Sequence, residues 1–173
     1  QDIDMIITGS DWYEDVRSGA PNTFITAALF AGRYITNEEI LEFFILDRKQ
    51  HVEEKIQPAL DQGTMVIMDR YYYSSMAYQV AGGLDVDYIR NKHHFAPTPD
   101  IVLIFDLPVS TALERVRGHS EADEFEKEEH LEKVREAYLN LKEDPIVTIF
   151  DATESPGNIF GKVWKSISEI IDE

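Results

Sequence analysis

Cysteine is absent from the 173 residues, which excludes disulfides, thiolate catalysis and cysteine-ligated zinc and leaves a reducing compartment permitted. Long apolar runs are absent too. No stretch approaches the ~20 residues of a membrane span and no secretory signal opens the chain, so a soluble, cytoplasmic protein is expected. Basic residues are scarce: 16 Lys and Arg face 33 Asp and Glu, a formal net charge of -17. A field of that sign repels polyanions and argues against general binding of nucleic acid or of an anionic membrane, and any anionic ligand needs a local basic cluster. Repeats, low-complexity tracts and linkers are lacking as well. With 43% hydrophobic residues, the length suits one well-buried domain spanning 1–173. The first residue is Gln1 rather than methionine, and the natural chain is expected to extend further upstream.

What is present is an alternation of strands and helices. Three short apolar runs each end on an aspartate: "MVIM" before Asp69, "IVLIF" before Asp106 and "IVTIF" before Asp151, with a fourth candidate, "IDMIIT", at Ile3 to Thr8. Continuous β-branched runs suit strands covered on both faces, as in a parallel sheet. Between them, Thr36 and Glu39 form a capping box ahead of Ile40, Leu41, Phe44, Ile45, Val52 and Ile56, which recur at helical spacing until Gly63, with Pro58 expected to kink or shorten the last turns. Asp85 caps a short helix through Ile89; helices are also read over Ser110 to Arg117, Phe125 to Leu141 and from Ser155–Pro156 onward, the last with Val163, Trp164, Ile167, Ile170 and Ile171 on its apolar face. The pattern predicts a three-layer α/β domain with a mostly parallel sheet flanked by helices.

In such a sheet, ligands bind beyond the carboxyl ends of the strands, where all three aspartates stand. Each aspartate also suits a plain cap or turn. Asp69 and Arg70 gain interest from "MDRYYYSSMAYQ", which crowds tyrosines, serines and a glutamine behind a buried strand. Arg70 offers a planar fork for phosphate and Asp69 a ligand for magnesium, the alternative being a salt bridge between the two. Phe44 and Arg48 lie four apart on one helical face and suit either base stacking or ordinary packing. His93 and His94 have no further ligand at metal spacing, so they are read as a pair at a loop edge, and the acidic runs as solvated faces.

Together, "EFFILDRKQH", "MDRYYYSSMAYQ", "FAPTPDIVLIFDLPVSTALERV" and "DEFEKEEHLEKVREAYLNL" resemble thymidylate kinases, particularly those of archaeal type, in order and interval from about Phe24 to Asp151. The resemblance implies a P-loop kinase-like fold of the nucleoside monophosphate kinase type, with ATP and Mg2+ serving transfer to dTMP. It further implies that Phe44 stacks on thymine and Arg48 bonds its carbonyl edge. Arg70 would hold the monophosphate, Asp69 would position magnesium, and Ser74, Ser75, Tyr78 and Gln79 would line the base and sugar pocket. Arg115 and Arg117 match the arginines leading into a lid at about 117–126, the stretch after Asp151 would pass the adenine, and a homodimer is implied.

The sequence departs from that family where a G-x-x-x-x-G-K-[ST] loop should follow the first strand. No such loop occurs; Gly9 leads into "SDWYEDV" instead. Counting back from Arg48 places "MIITGSDW" at the family's second strand, with Gly9 and Ser10 replacing Arg and Glu of T-R-E-P, and Thr26 in place of the arginine of F-I-R. On that count about 30 residues, a strand, loop and helix on the βαβ scale, precede the chain, or "IDMIIT" has taken the central place in the sheet. Three functions follow: a dTMP kinase whose phosphate loop lies upstream, a pseudokinase without the loop that binds a nucleotide or partner, and an interaction module using Phe24 to Phe30 and Phe43 to Leu46.

Overall fold

The computed structural model describes residues 5–9, 35–116 and 124–171. Ser10, Thr26, Phe24 to Phe30, Arg117 and most of the expected lid therefore lie outside the described residues. Two compact units are distinguished, Gln1–Pro97 and Thr98–Glu173.

In the first unit, β1 (Met5–Gly9) pairs in parallel with β2 (Met65–Asp69), from Met5 opposite Met65 to Gly9 opposite Asp69. The helix read from Thr36 begins as α1 (Asn37–His51). Its capping box is complete: the Glu39 amide donates to the Thr36 hydroxyl at 3.2 Å, and the Glu39 carboxylate accepts from the Thr36 amide at 3.0 Å. The expected disturbance at Pro58 takes a specific form. Val52–Ile56 widens into a π turn, with the Gln57 amide donating to the Val52 carbonyl, before α2 (Gln57–Asp61) carries the proline in its first turn. A proline supplies no N–H to the ladder, and the wider turn lets the chain pass it without ending. Leu41, Ile45, Val52, Ile56 and Ala59 remain one buried stripe throughout.

Beyond β2, α3 (Tyr72–Ala81) buries Tyr72, Tyr73, Ser75, Met76, Ala77 and Gln79. It ends at Gly82, where a Cβ would stand 2.3 Å from Asn37 Nδ2, the same nitrogen that donates to the Gln79 carbonyl at 2.8 Å. That close approach ties the start of α1 to the end of α3. α4 (Val86–Lys92) is capped as read, the Asp85 carboxylate accepting from the Tyr88 amide at 2.8 Å.

In the second unit, β3 (Val102–Asp106) pairs in parallel with β4 (Val147–Asp151), which sets Asp106 beside Asp151. The helices are α5 (Val109–Val116), α6 (Glu124–Asn140) and α7 (Pro156–Ile171). Ile104, Val109, Val134, Ala137, Leu141 and Phe150 form the core. The strands are not covered alike on both faces, since Ile67 and Phe105 stay 40% and 52% exposed; each ladder has two strands among the described residues, and alternate side chains leave the packed face. The apolar face of α7 is also incompletely covered, with Trp164 57% exposed and no residue of the helix fully buried.

Candidate active site

The chemistry of the first unit converges on Arg48, whose place on α1 lies one turn beyond half-buried Phe44. Its Nη1 donates to Ser75 Oγ at 3.3 Å and meets His93 Nε2 at 2.6 Å, while the guanidinium carbon lies 5.6 Å from the centre of the Tyr71 ring. Every one of these partners is neutral at pH 7. Burial of the cation is the main cause that lowers its pKa to about 10, against smaller opposing contributions from Tyr71 and Asp47. A guanidinium has five N–H donors, and the described residues engage only Nη1. Nη2 and Nε are left for an acceptor.

His93 corrects the sequence reading. Rather than standing at a loop edge it is 3% exposed, with Nδ1 2.8 Å from the Ile89 carbonyl and its ring stacked 5.7 Å from that of Tyr72. A usable signal was present: His93 follows Ile89 by four residues, and Ile89 is the buried residue of α4. His94 is exposed, as expected. Tyr71 was also missed as a member of the cluster; burial raises its pKa to about 12.

Two buried polar atoms of this cluster, the Tyr71 hydroxyl and Gln79 Oε1, have no hydrogen-bond partner among the described residues. Buried polar atoms without partners are costly, and such groups ask for a ligand or water. Arg70 stands at the carboxyl end of β2 with φ 65, the one described non-glycine residue in the left-handed region. Its Nε donates to Ser74 Oγ at 3.3 Å, and its guanidinium lies 4.9 Å from the Tyr78 ring centre. Left-handed backbone in an L residue is strained and recurs at functional sites. Asp69, just before it, is exposed. Among the described residues no group of three or more His, Asp or Glu could cage a metal. A single carboxylate with substrate phosphates and water is, however, the usual way to hold Mg2+, so Asp69 fits that ion.

The second unit gathers other expected residues. Arg115 Nη2 donates to the Ala152 carbonyl at 3.3 Å, which joins the predicted lid arginine to the stretch after Asp151. Asp151 itself accepts from the Thr153 amide at 2.8 Å and hydroxyl at 2.6 Å, the turn role that aspartate commonly fills. Asp106 is engaged by both arms of Arg135, at 2.7 Å and 2.9 Å, and that hydrogen bond holds its carboxyl below the ordinary range. A shallow hollow of about 290 Å³ along α6 is lined by Glu129, Glu132 and Glu136 beside Lys133 and Arg135, a poor setting for phosphate.

Comparison with known proteins identifies the family. A sequence model of the thymidylate kinase family matches residues 23–163. A protein named probable thymidylate kinase from Thermococcus kodakarensis is 40% identical over 144 residues, covering 82% of this chain and 70% of its own length. Its counterpart in Thermococcus gammatolerans is 44% identical over 126 residues, covering 72% of this chain and 61% of its own length. A thymidylate kinase of Xylella fastidiosa is 36% identical over 156 residues, or 89% of this chain and 70% of its own length. The paired parallel strands with intervening helices suit the α/β fold of P-loop nucleoside monophosphate kinases. The chain belongs to the thymidylate kinase family.

Proposed function

We propose that this chain carries the monophosphate-binding side of a kinase that transfers the terminal phosphoryl group of ATP to dTMP, giving dTDP. The observation that carries the reading is Arg48, a part-buried guanidinium with neutral partners and, among the described residues, two nitrogens to spare. A pyrimidine carbonyl is the acceptor that completes it, with Phe44 covering the ring. Gln79 and Tyr71, each with a buried oxygen in want of a partner, would meet the base or sugar, alongside Ser74, Ser75 and Tyr78.

Phosphoryl transfer needs positioning and charge neutralisation rather than a covalent nucleophile. Arg70 at the strand end would hold the acceptor phosphate, and Arg115 with Arg117 would support the transferring group from the lid side. Asp69 would hold Mg2+, which when bound neutralises phosphate charge. Asp151 and its following turn would border the adenine.

The donor side needs a G-x-x-x-x-G-K-[ST] loop, which the 173 residues do not contain. β2 and β3 each have a single strand partner among the described residues, so each keeps an edge at which a further parallel strand could pair. Transfer is therefore measured on a polypeptide in which such a loop is joined to this chain: ADP release with dTMP and Mg2+ is expected, and its absence defeats the kinase reading. Binding is measured on the chain itself by calorimetry. dTMP should bind, and Arg48→Ala should weaken it about 10- to 100-fold, the scale of charge-assisted hydrogen bonds. A dimer in sedimentation would support the implied self-association.

A further inference from the structure

We infer that His93 is a positioning residue for Arg48, holding the guanidinium as a donor-only reader of a pyrimidine's carbonyl edge. The inference rests on the reading that Arg48 meets the base, and it adds the group that fixes its orientation.

Hydrogen-bond logic at the two ring nitrogens leads there. Nδ1 is 2.8 Å from the Ile89 carbonyl, an acceptor only, so Nδ1 carries the proton. Nε2 is 2.6 Å from Arg48 Nη1, and arginine offers donors only, so Nε2 must accept. Both bonds are met by a single species, the neutral imidazole with its proton on Nδ1. An imidazolium would set N–H against N–H beside a second cation. Burial, the main cause, together with the nearby Arg48 lowers the His93 pKa to about 4, in the same direction. The ring cannot readily turn away. It is 3% exposed and stacks on Tyr72 at an interplanar angle of 20°.

The consequence is selectivity. Nη1 is divided between His93 and Ser75, and among the described residues Nη2 and Nε have no partner, so they face a ligand with donors alone. Such a surface satisfies the O4 carbonyl of thymine and opposes the amino group of cytosine, whose own N–H would meet N–H. Without the acceptor at Nε2 the guanidinium is free to re-aim, and that opposition weakens.

Two measurements decide it. Long-range proton–nitrogen spectra of the imidazole-labelled chain at pH 7 should show His93 neutral, with Nδ1 protonated and Nε2 bare; an Nε2–H tautomer or an imidazolium overturns the proposal. Calorimetry with dTMP, dCMP and abasic deoxyribose 5-phosphate is then compared across wild type, His93→Leu and His93→Gln. The leucine variant should reduce the dTMP-to-dCMP preference at least tenfold while leaving the abasic phosphate's affinity within twofold. Glutamine, with an acceptor near the Nε2 position, should restore most of the preference. An unchanged preference, or an equal loss for all three ligands, overturns the positioning role. Should the wild-type chain bind none of the three, the base-binding reading fails by itself, and the spectrum still upholds or overturns the His93–Arg48 bond.

Discussion

The two units treat charge in opposite ways. In the first, Arg48 sits among a neutral imidazole, a hydroxyl and an aromatic face, while two nearby oxygens lack partners among the described residues. In the second, Asp106 and Asp151 stand side by side on β3 and β4, and each is already engaged, one by the fork of Arg135 and the other by the turn at Thr153. A self-satisfied arrangement stabilises its own fold. One left incomplete costs stability and gains it back only from a ligand. On the proposed reading, recognition falls to the first unit, while the second is mainly braced.

The difference is sharpest in acid, which gives the largest expected effect. His93 has its pKa depressed from 6.5 to about 4, so between those values the unfolded chain takes up a proton that the folded chain refuses. Stability of the first unit therefore falls as pH drops from 6.5 towards 4, by up to about 3 kcal/mol. The groups facing His93 are Arg48 from α1 and Tyr72 from α3. Asp106 behaves differently. Its lowered pKa contributes stability above the ordinary carboxylate range and loses it only as pH falls through its own value. Amide exchange followed separately in α3 and β4 should show the first unit loosening at pH 5 and the second holding until below pH 4. Simultaneous loss would break the contrast, and His93→Leu should abolish the earlier step.

A smaller effect tests the bracing. The Arg135 and Asp106 side chains are 31% and 23% exposed, between the surface and buried regimes, so removing the arginine should cost about 1 to 2 kcal/mol. Arg135→Met leaves Asp106 beside Asp151 without the guanidinium that engages it. The loss should shrink in the Arg135→Met, Asp106→Asn double variant, because the like-charge pair has gone. Urea titrations of the single and double variants give the coupling; additive losses would show that the fork does not serve this purpose.

Much of this was legible in the chain because the signals are local. Strands ending on Asp69, Asp106 and Asp151, the Thr36–Glu39 capping box and the Asp85 cap depend on neighbours within a few positions. What escaped depends on distant partners. His93 is buried because Arg48, 45 positions earlier, needs an acceptor, and Asp106 is held by a residue 29 positions later. Pro58 announced a disturbance but not its form, since a π turn and a kink relieve the same missing donor. Phe44 and Arg48 were marked by their spacing, which could not show that Arg48 meets an imidazole and a hydroxyl rather than a carboxylate among the described residues.

The smallest predicted effect concerns Arg70, whose φ of 65 could be a fold requirement or a cost of function. Two substitutions separate these. Arg70→Ala removes the contacts with Ser74 and Tyr78 but keeps a Cβ in the left-handed region, whereas Arg70→Gly removes the same contacts and the steric strain together. The glycine variant should therefore be the more stable of the two by about 1 kcal/mol in urea titration, even though glycine loses more backbone entropy on folding. Both should weaken abasic deoxyribose 5-phosphate equally, because both delete the guanidinium. If alanine is as stable as glycine, the backbone there is unstrained and its conformation says nothing about phosphate. If glycine is the more stable and binding falls alike in both, the strained residue is one the fold tolerates for the sake of its side chain.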